Sequence, residues 1–191
     1  MKKALLSLSF LFILSSAGWS NVFIDAAATY VNADYAKGQI GGNYGLGFSI
    51  LPDWNVLLNV SMTFYQNLNE EGLDPDFYSH DMYSLGIEYT HPILNRLHAF
   101  GSIFISMTRT TLAELDQSNE LAKIEDMGLG IMFLAGAKFD LNQWFSPFIS
   151  LGYHSASYAD SLEEKSIQGF VFRIGARFII WGNNKSIETG Y

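Results

Sequence analysis

Apolar and polar side chains alternate almost one for one along most of this chain. The clearest stretch carries Leu129, Ile131, Phe133, Ala135, Ala137 and Phe139 interleaved with Gly130, Met132, Leu134, Gly136 and Lys138. Side chains of an extended chain point to opposite faces in turn, so this segment has one greasy face and one small or polar face. The pattern recurs eight times. It predicts strands at 22–32, 40–51, 54–66, 79–91, 96–108, 127–141, 144–157 and 166–181. Each has at least the roughly 9–11 residues that a tilted strand needs to cross a bilayer, most with a few more.

The connections predicted between them alternate between long and short. Pro52-Asp53, Pro92 to Asn95 and Asn142-Gln143 are the short ones. The long ones are 33–39, 67–76, 109–126 and 158–165. Within the third of these, Leu112 to Lys123 has near-helical apolar spacing and predicts a short helix. The fold class that follows is all-β, an eight-stranded antiparallel up-and-down barrel.

The alternation alone leaves open which face looks outward. A soluble lipocalin-like barrel would turn its apolar residues inward around a ligand. Three features favour a transmembrane barrel with the greasy face toward lipid. Most charges within strands fall on the polar face: Asp25, Glu88, Lys138, Arg173 and Arg177. A basic residue facing the bilayer midplane would cost about 2–4 kcal/mol. The same face is crowded with small groups, among them Gly45, Gly47, Ser61, Gly86, Gly130, Gly136, Ser150 and Gly175. They leave room for longer polar side chains in an interior only wide enough to be filled. The apolar face carries aromatics near both strand ends. Phe48, Trp54, Tyr89, Phe139, Phe145, Phe178 and Trp181 lie toward the short turns. Tyr30, Tyr44, Phe64, Tyr83, Tyr153 and Phe170 lie toward the long loops. Two such girdles mark the two membrane interfaces.

The ends and the composition fit this reading. Lys2 and Lys3, the apolar run from Ala4 to Ala17, and Gly18 and Ser20 have the layout of a signal peptide cleaved after Ser20. The domains expected are therefore a signal at 1–20, a barrel at 21–181 and a short tail at 182–191. Loss of Lys2 and Lys3 takes the net charge from −8 to −10, and an acidic chain without a basic patch argues against a nucleic-acid partner. There is no cysteine, hence no disulfide framework and no lipidated cysteine.

The chain resembles the small eight-stranded outer-membrane barrels of diderm bacteria, with outer-membrane proteins A (its membrane domain), X and W as familiar members. The resemblance covers about Val22 to Trp181. It rests on the architecture and on segments such as Ser84-Leu85-Gly86-Ile87-Glu88-Tyr89 and Phe148-Ile149-Ser150-Leu151-Gly152-Tyr153. It implies an outer-membrane location, with long loops outside and both termini in the periplasm. The implied partners are membrane lipid, lipopolysaccharide and the barrel-assembly machinery, with a host or surface ligand at the loops and the protein a monomer. One departure is the C-terminus. Such barrels usually end on an aromatic, whereas here Gly182 to Gly190 follow Trp181 before Tyr191.

Three constellations carry candidate chemistry. Asp25 and Glu88 are candidates to pair with Lys138, Arg173 and Arg177 inside the barrel. The narrow lumen favours a structural network over a conduction path, and His98 near the short turns joins it as an interior hydrogen-bonding residue. His80, Asp81, His154, Ser155 and Ser157 cluster near the long loops. A hydrolase there would need nucleophile, base and acid in mutual reach. Both histidines are expected to face inward, whereas lipid A-modifying barrels keep their triad toward lipid. The acidic loop residues (Glu70, Glu71, Asp74 and Asp76; Glu114, Asp116, Glu120, Glu125 and Asp126; Asp160, Glu163 and Glu164) lack the ligand spacing of an EF-hand and read as solvated. The expectation is a structural or surface-interacting barrel with no catalysis, metal or cofactor. The alternative is a narrow channel for ions or small apolar solutes, opening past Phe100, Phe104, Leu134 and Phe148. A lipid A-modifying enzyme is the third reading.

Overall fold

The computed structural model describes residues 21–33, 36–68, 75–115, 121–158 and 167–182. Eight antiparallel strands follow one another: β1 (Asn21–Ala33), β2 (Ala36–Leu51), β3 (Trp54–Leu68), β4 (Pro75–Leu94), β5 (Leu97–Leu115), β6 (Leu121–Phe139), β7 (Phe145–Tyr158) and β8 (Ile167–Gly182). Each pairs with its neighbours in sequence, and β8 pairs with β1 to close the barrel. Closure removes the free sheet edges that an open sheet would have, although β6 before Gly128 rises beyond its ladder with β7.

The eight predicted strands are all present, but several are longer than expected, and this corrects the loops. The segment 33–39 is mostly strand, with Ala33 paired to Ala36. Most of 109–126 is strand as well. The β5–β6 ladder runs on through Thr111↔Glu125 and Ala113↔Lys123 to Leu115↔Leu121. The short helix expected over Leu112–Lys123 is therefore replaced by a hairpin wherever the chain is described. Thr108, Thr110 and Thr111 are β-branched, and each gains a cross-strand partner by continuing the ladder, which outweighs a weak helical spacing. Strict alternation of loop length gives way accordingly. The extra length at that end is spent in β4, β5 and β6, of 20, 19 and 19 residues.

The two faces sort as the pattern predicts. The girdle aromatics all lie on the outside, with Trp54 against Tyr89 at 5.0 Å between ring centroids and Tyr153 against Phe170 at 5.7 Å. Leu85, Ile105, Leu129 and Ile174 join them there, each more than half exposed. Inside, Asp25, Asn43, Asn59, Ser61, Thr63, His80, Glu88, Ser106, His154, Arg173 and Arg177 are buried. Small residues make the room: a Cβ on Gly47 would run into the Phe23 ring, and one on Gly45 into Asn59 Oδ1. The expected signal peptide and the tail after Gly182 lie outside the described residues, as do the acidic loop positions 70, 71, 74, 116, 120, 160, 163 and 164.

Candidate functional site

The interior is built in layers, and cross-strand register sets each one. Toward the short turns, Arg177 on β8 stands directly opposite Asp25 on β1. The guanidinium donates from Nε to Asp25 Oδ1 at 2.8 Å and from Nη2 to Oδ2 at 2.9 Å. A second register-defined run lies on the other wall. Ser49 on β2 faces Asn55 on β3, which faces Glu88 on β4. Ser49 donates to Asn55 Oδ1 at 2.7 Å, and Asn55 Nδ2 donates to Glu88 Oε1 at 2.9 Å.

Arg177 joins the two walls. Its Nη1 donates to Glu88 Oε1 at 2.7 Å and its Nη2 to Oε2 at 3.1 Å. Strand β4 is four strands from β8 around the closed sheet, so this link crosses the lumen. One planar guanidinium thus serves two carboxylates in bidentate fashion, a geometry that lysine cannot reproduce. The Phe23 ring lies under the guanidinium, 3.8 Å from Cζ to the ring centroid, and closes one side of the network.

The expected pairing among the five interior charges is corrected in detail. Arg177 takes both Asp25 and Glu88. Arg173 meets no carboxylate within ion-pair distance among the described residues. Its Nη2 instead donates to Met132 Sδ at 3.4 Å, and its Nε is buried without a partner. Lys138 likewise makes no ion pair with the described carboxylates. His98 is buried as expected, with Nε2 3.0 Å from Asp140 Oδ2, and Ser146 donates to Asp140 Oδ1 at 2.6 Å.

Toward the other end the interior is mostly neutral, with Asp126 its one buried charge among the described residues. Thr63 donates to Gln39 Oε1 at 2.8 Å. His80 Nδ1 lies 3.1 Å from Thr110 Oγ1, which is 2.7 Å from Tyr158 Oη. His154 Nε2 lies 3.1 Å from Ser106 Oγ, and the two imidazoles meet edge to face at 5.5 Å. His80 and His154 both face inward, whereas Asp81, Ser155 and Ser157 alternate to the outside. The hydroxyl at His154 is therefore Ser106, a residue the sequence pattern does not single out. No described carboxylate orients that histidine, whose Nδ1 has no partner. The arrangement is a packed polar layer and lacks the acid of a triad. Glu125 and Asp126 sit on β6 and not in a loop: Glu125 accepts from Arg109 Nη2 at 2.9 Å on the outside, and Asp126 turns inward.

Phe100, Phe104, Leu134 and Phe148 do face the lumen, with Phe100 and Phe148 edge to face at 6.1 Å. They line a cavity of about 20 Å³ together with Asp25, Glu88, Lys138, Arg173 and Arg177. That is room for about one water-sized particle. Ser49, Asn55, Phe23 and Met132 also serve the interior although the sequence does not mark them as site residues. Shared parity was the available signal, since Phe23 stands two residues from Asp25.

No protein-family model and no curated protein sequence matches the chain. Solved structures match over most of its length. A major outer membrane protein from Thermus thermophilus has a TM-score of 0.64 at 15% identity, with 84% of this chain and 99% of that one covered. The chain has the fold of the small eight-stranded outer-membrane barrels. Neisserial surface protein A matches with a TM-score of 0.60 at 11% identity, covering 82% and 94%. Ail, the attachment invasion locus protein of Yersinia pestis, matches with 0.53 at 17% identity, covering 84% and 98%. At these identities the likeness is one of fold.

Proposed function

We propose that this chain is a bacterial outer-membrane barrel with a structural or surface-interaction role. The observation that carries the reading is the Arg177 bridge, which ties Asp25 and Glu88 across the lumen and obstructs it. An exterior of exposed Leu, Ile, Phe and Trp calls for lipid as its solvent, because soluble monomers rarely expose apolar patches beyond a few hundred Å². The connections 52–53, 95–96 and 140–144 share one end of the barrel with the paired strand ends Asn21 and Gly182. By the usual sidedness of such barrels that end is periplasmic, and the tall β4–β5–β6 wall rises outside. Membrane lipid and lipopolysaccharide are then the partners of the belt, and a host or surface ligand is the partner of the outer wall. The name of one structural neighbour, an attachment invasion locus protein, fits that role. Insertion by the barrel-assembly machinery and a monomeric state complete the proposal.

The test joins two measurements on the full chain. Reconstituted in planar bilayers, the protein gives no conductance steps, and cells displaying it bind host or matrix surfaces more than cells displaying a variant trimmed in β4–β5–β6. Steady conductance that is lost in Glu88→Gln would instead establish the narrow channel. A changed lipid A mass on expression would establish the enzyme.

A further inference from the structure

The lining of one small interior cavity carries one more cation than carboxylate, while Asp140 and Asp126 are buried outside it. Five charged residues line the small cavity: Arg173, Arg177 and Lys138 against Asp25 and Glu88. Both carboxylates are turned to Arg177, each through two hydrogen bonds. Arg173 is 3% exposed, keeps Nε without a partner, and has only a thioether as a described acceptor. Ser150 stands directly opposite Arg173 on β7 and lines the same cavity, and its hydroxyl is also unpartnered. Asn59 reaches the cavity from β3. A thioether is a weak acceptor, and a guanidinium that far from water without an anionic partner is costly.

We propose that this cavity is a binding site for a single halide-sized monoanion, held by Arg173 and Lys138 with the Ser150 hydroxyl as a further donor. Size and charge select the ligand together. About 20 Å³ suits one particle near the size of water, which favours a monatomic ion over phosphate, sulfate or a carboxylate. One unit of negative charge balances the lining, in which three cations face two carboxylates. Unlike the Arg177 bridge, which the chain completes from its own side chains, this site draws its counter-charge from outside. Its occupant ties β6, β7 and β8 together at mid-barrel.

Bromide scatters anomalously and reports on such a site directly. Crystals of the refolded barrel grown in sodium bromide are expected to show an anomalous peak between Arg173, Lys138 and Ser150, and crystals of Arg173→Met are expected to lack it. In solution, chloride or bromide raises the thermal unfolding midpoint of the wild type relative to gluconate at equal ionic strength, and leaves Arg173→Met unmoved. Should Arg173→Met fail to fold, Lys138→Met serves. Its half-saturating halide concentration is expected to rise about tenfold, the equivalent of one charge-assisted hydrogen bond. A wild-type cavity holding only water in bromide, or a halide effect equal in wild type and variants, would overturn the proposal.

Discussion

Arg177 and Glu88 are 89 positions apart in the chain and four strands apart in the sheet, yet two hydrogen bonds join them across the lumen. The same guanidinium holds Asp25 on the adjacent strand, so the barrel carries a cross-brace in which one cation answers two carboxylates. Its strength follows from burial, because no partner can turn to water for compensation.

Replacing Arg177 by Met leaves Asp25 and Glu88 facing one another unpaired. Removing one member of a buried ion pair typically costs about 3–5 kcal/mol. The urea midpoint of the barrel refolded in lipid vesicles is expected to fall accordingly. Glu88→Gln is expected to lose less, since Arg177 keeps Asp25. Equal midpoints for wild type and Arg177→Met would show that the brace contributes nothing.

The exposed pair of Arg109 and Glu125 is joined by one hydrogen bond of 2.9 Å and stands in water. Exposed pairs contribute little, since solvent screens them and two long side chains must be ordered. Arg109→Ala is expected to unfold at the wild-type urea concentration. A loss comparable to that of Arg177→Met would contradict the assignment of the outer ends of β5 and β6 to solvent.

Glycines on the two faces are expected to differ in what they tolerate. Gly47→Val drives a side chain into Phe23, which in turn underlies Arg177, and overpacking of this kind costs about 1–3 kcal/mol. A Cβ at the outward Gly101 meets nothing within 4 Å, so Gly101→Ala is expected to be neutral. Thermal midpoints of the two variants side by side decide the matter.

The outer face is expected to respond to charge as a lipid-facing one does. Ile103 lies mid-strand on β5 between Ile87 and Phe133. Ile103→Arg is expected to cost about 2–4 kcal/mol in bilayer-refolded protein. If that variant is as stable in vesicles as the wild type, the belt does not contact hydrocarbon.

The arrangement of faces was legible before the fold, and the pairing of the interior charges was not. Asp25, Glu88, Lys138, Arg173 and Arg177 share a parity with the small residues around them, and parity alone puts them inside. Which cation takes which carboxylate depends on the stagger of β8 on β1 and on what stands across the lumen, and neither has a local signature. Nothing local marks Ser106 as the partner of His154 either, because the two lie 48 positions apart in the chain. The helix expected over Leu112–Lys123 failed because apolar spacing within one segment is blind to the strand beside it.

By itself the sequence determined the number of strands, their order and which face of each looks out. A period of two and the position of charges, small residues and aromatics are properties of each strand alone. Only the tertiary structure decided that Arg177 bridges both carboxylates, that Arg173 and Lys138 are left over beside a small cavity, and that β4, β5 and β6 extend where loops were expected. These depend on closure and register, which bring residues from distant strands to one level, and hydrogen-bond geometry at that level then chooses the partners.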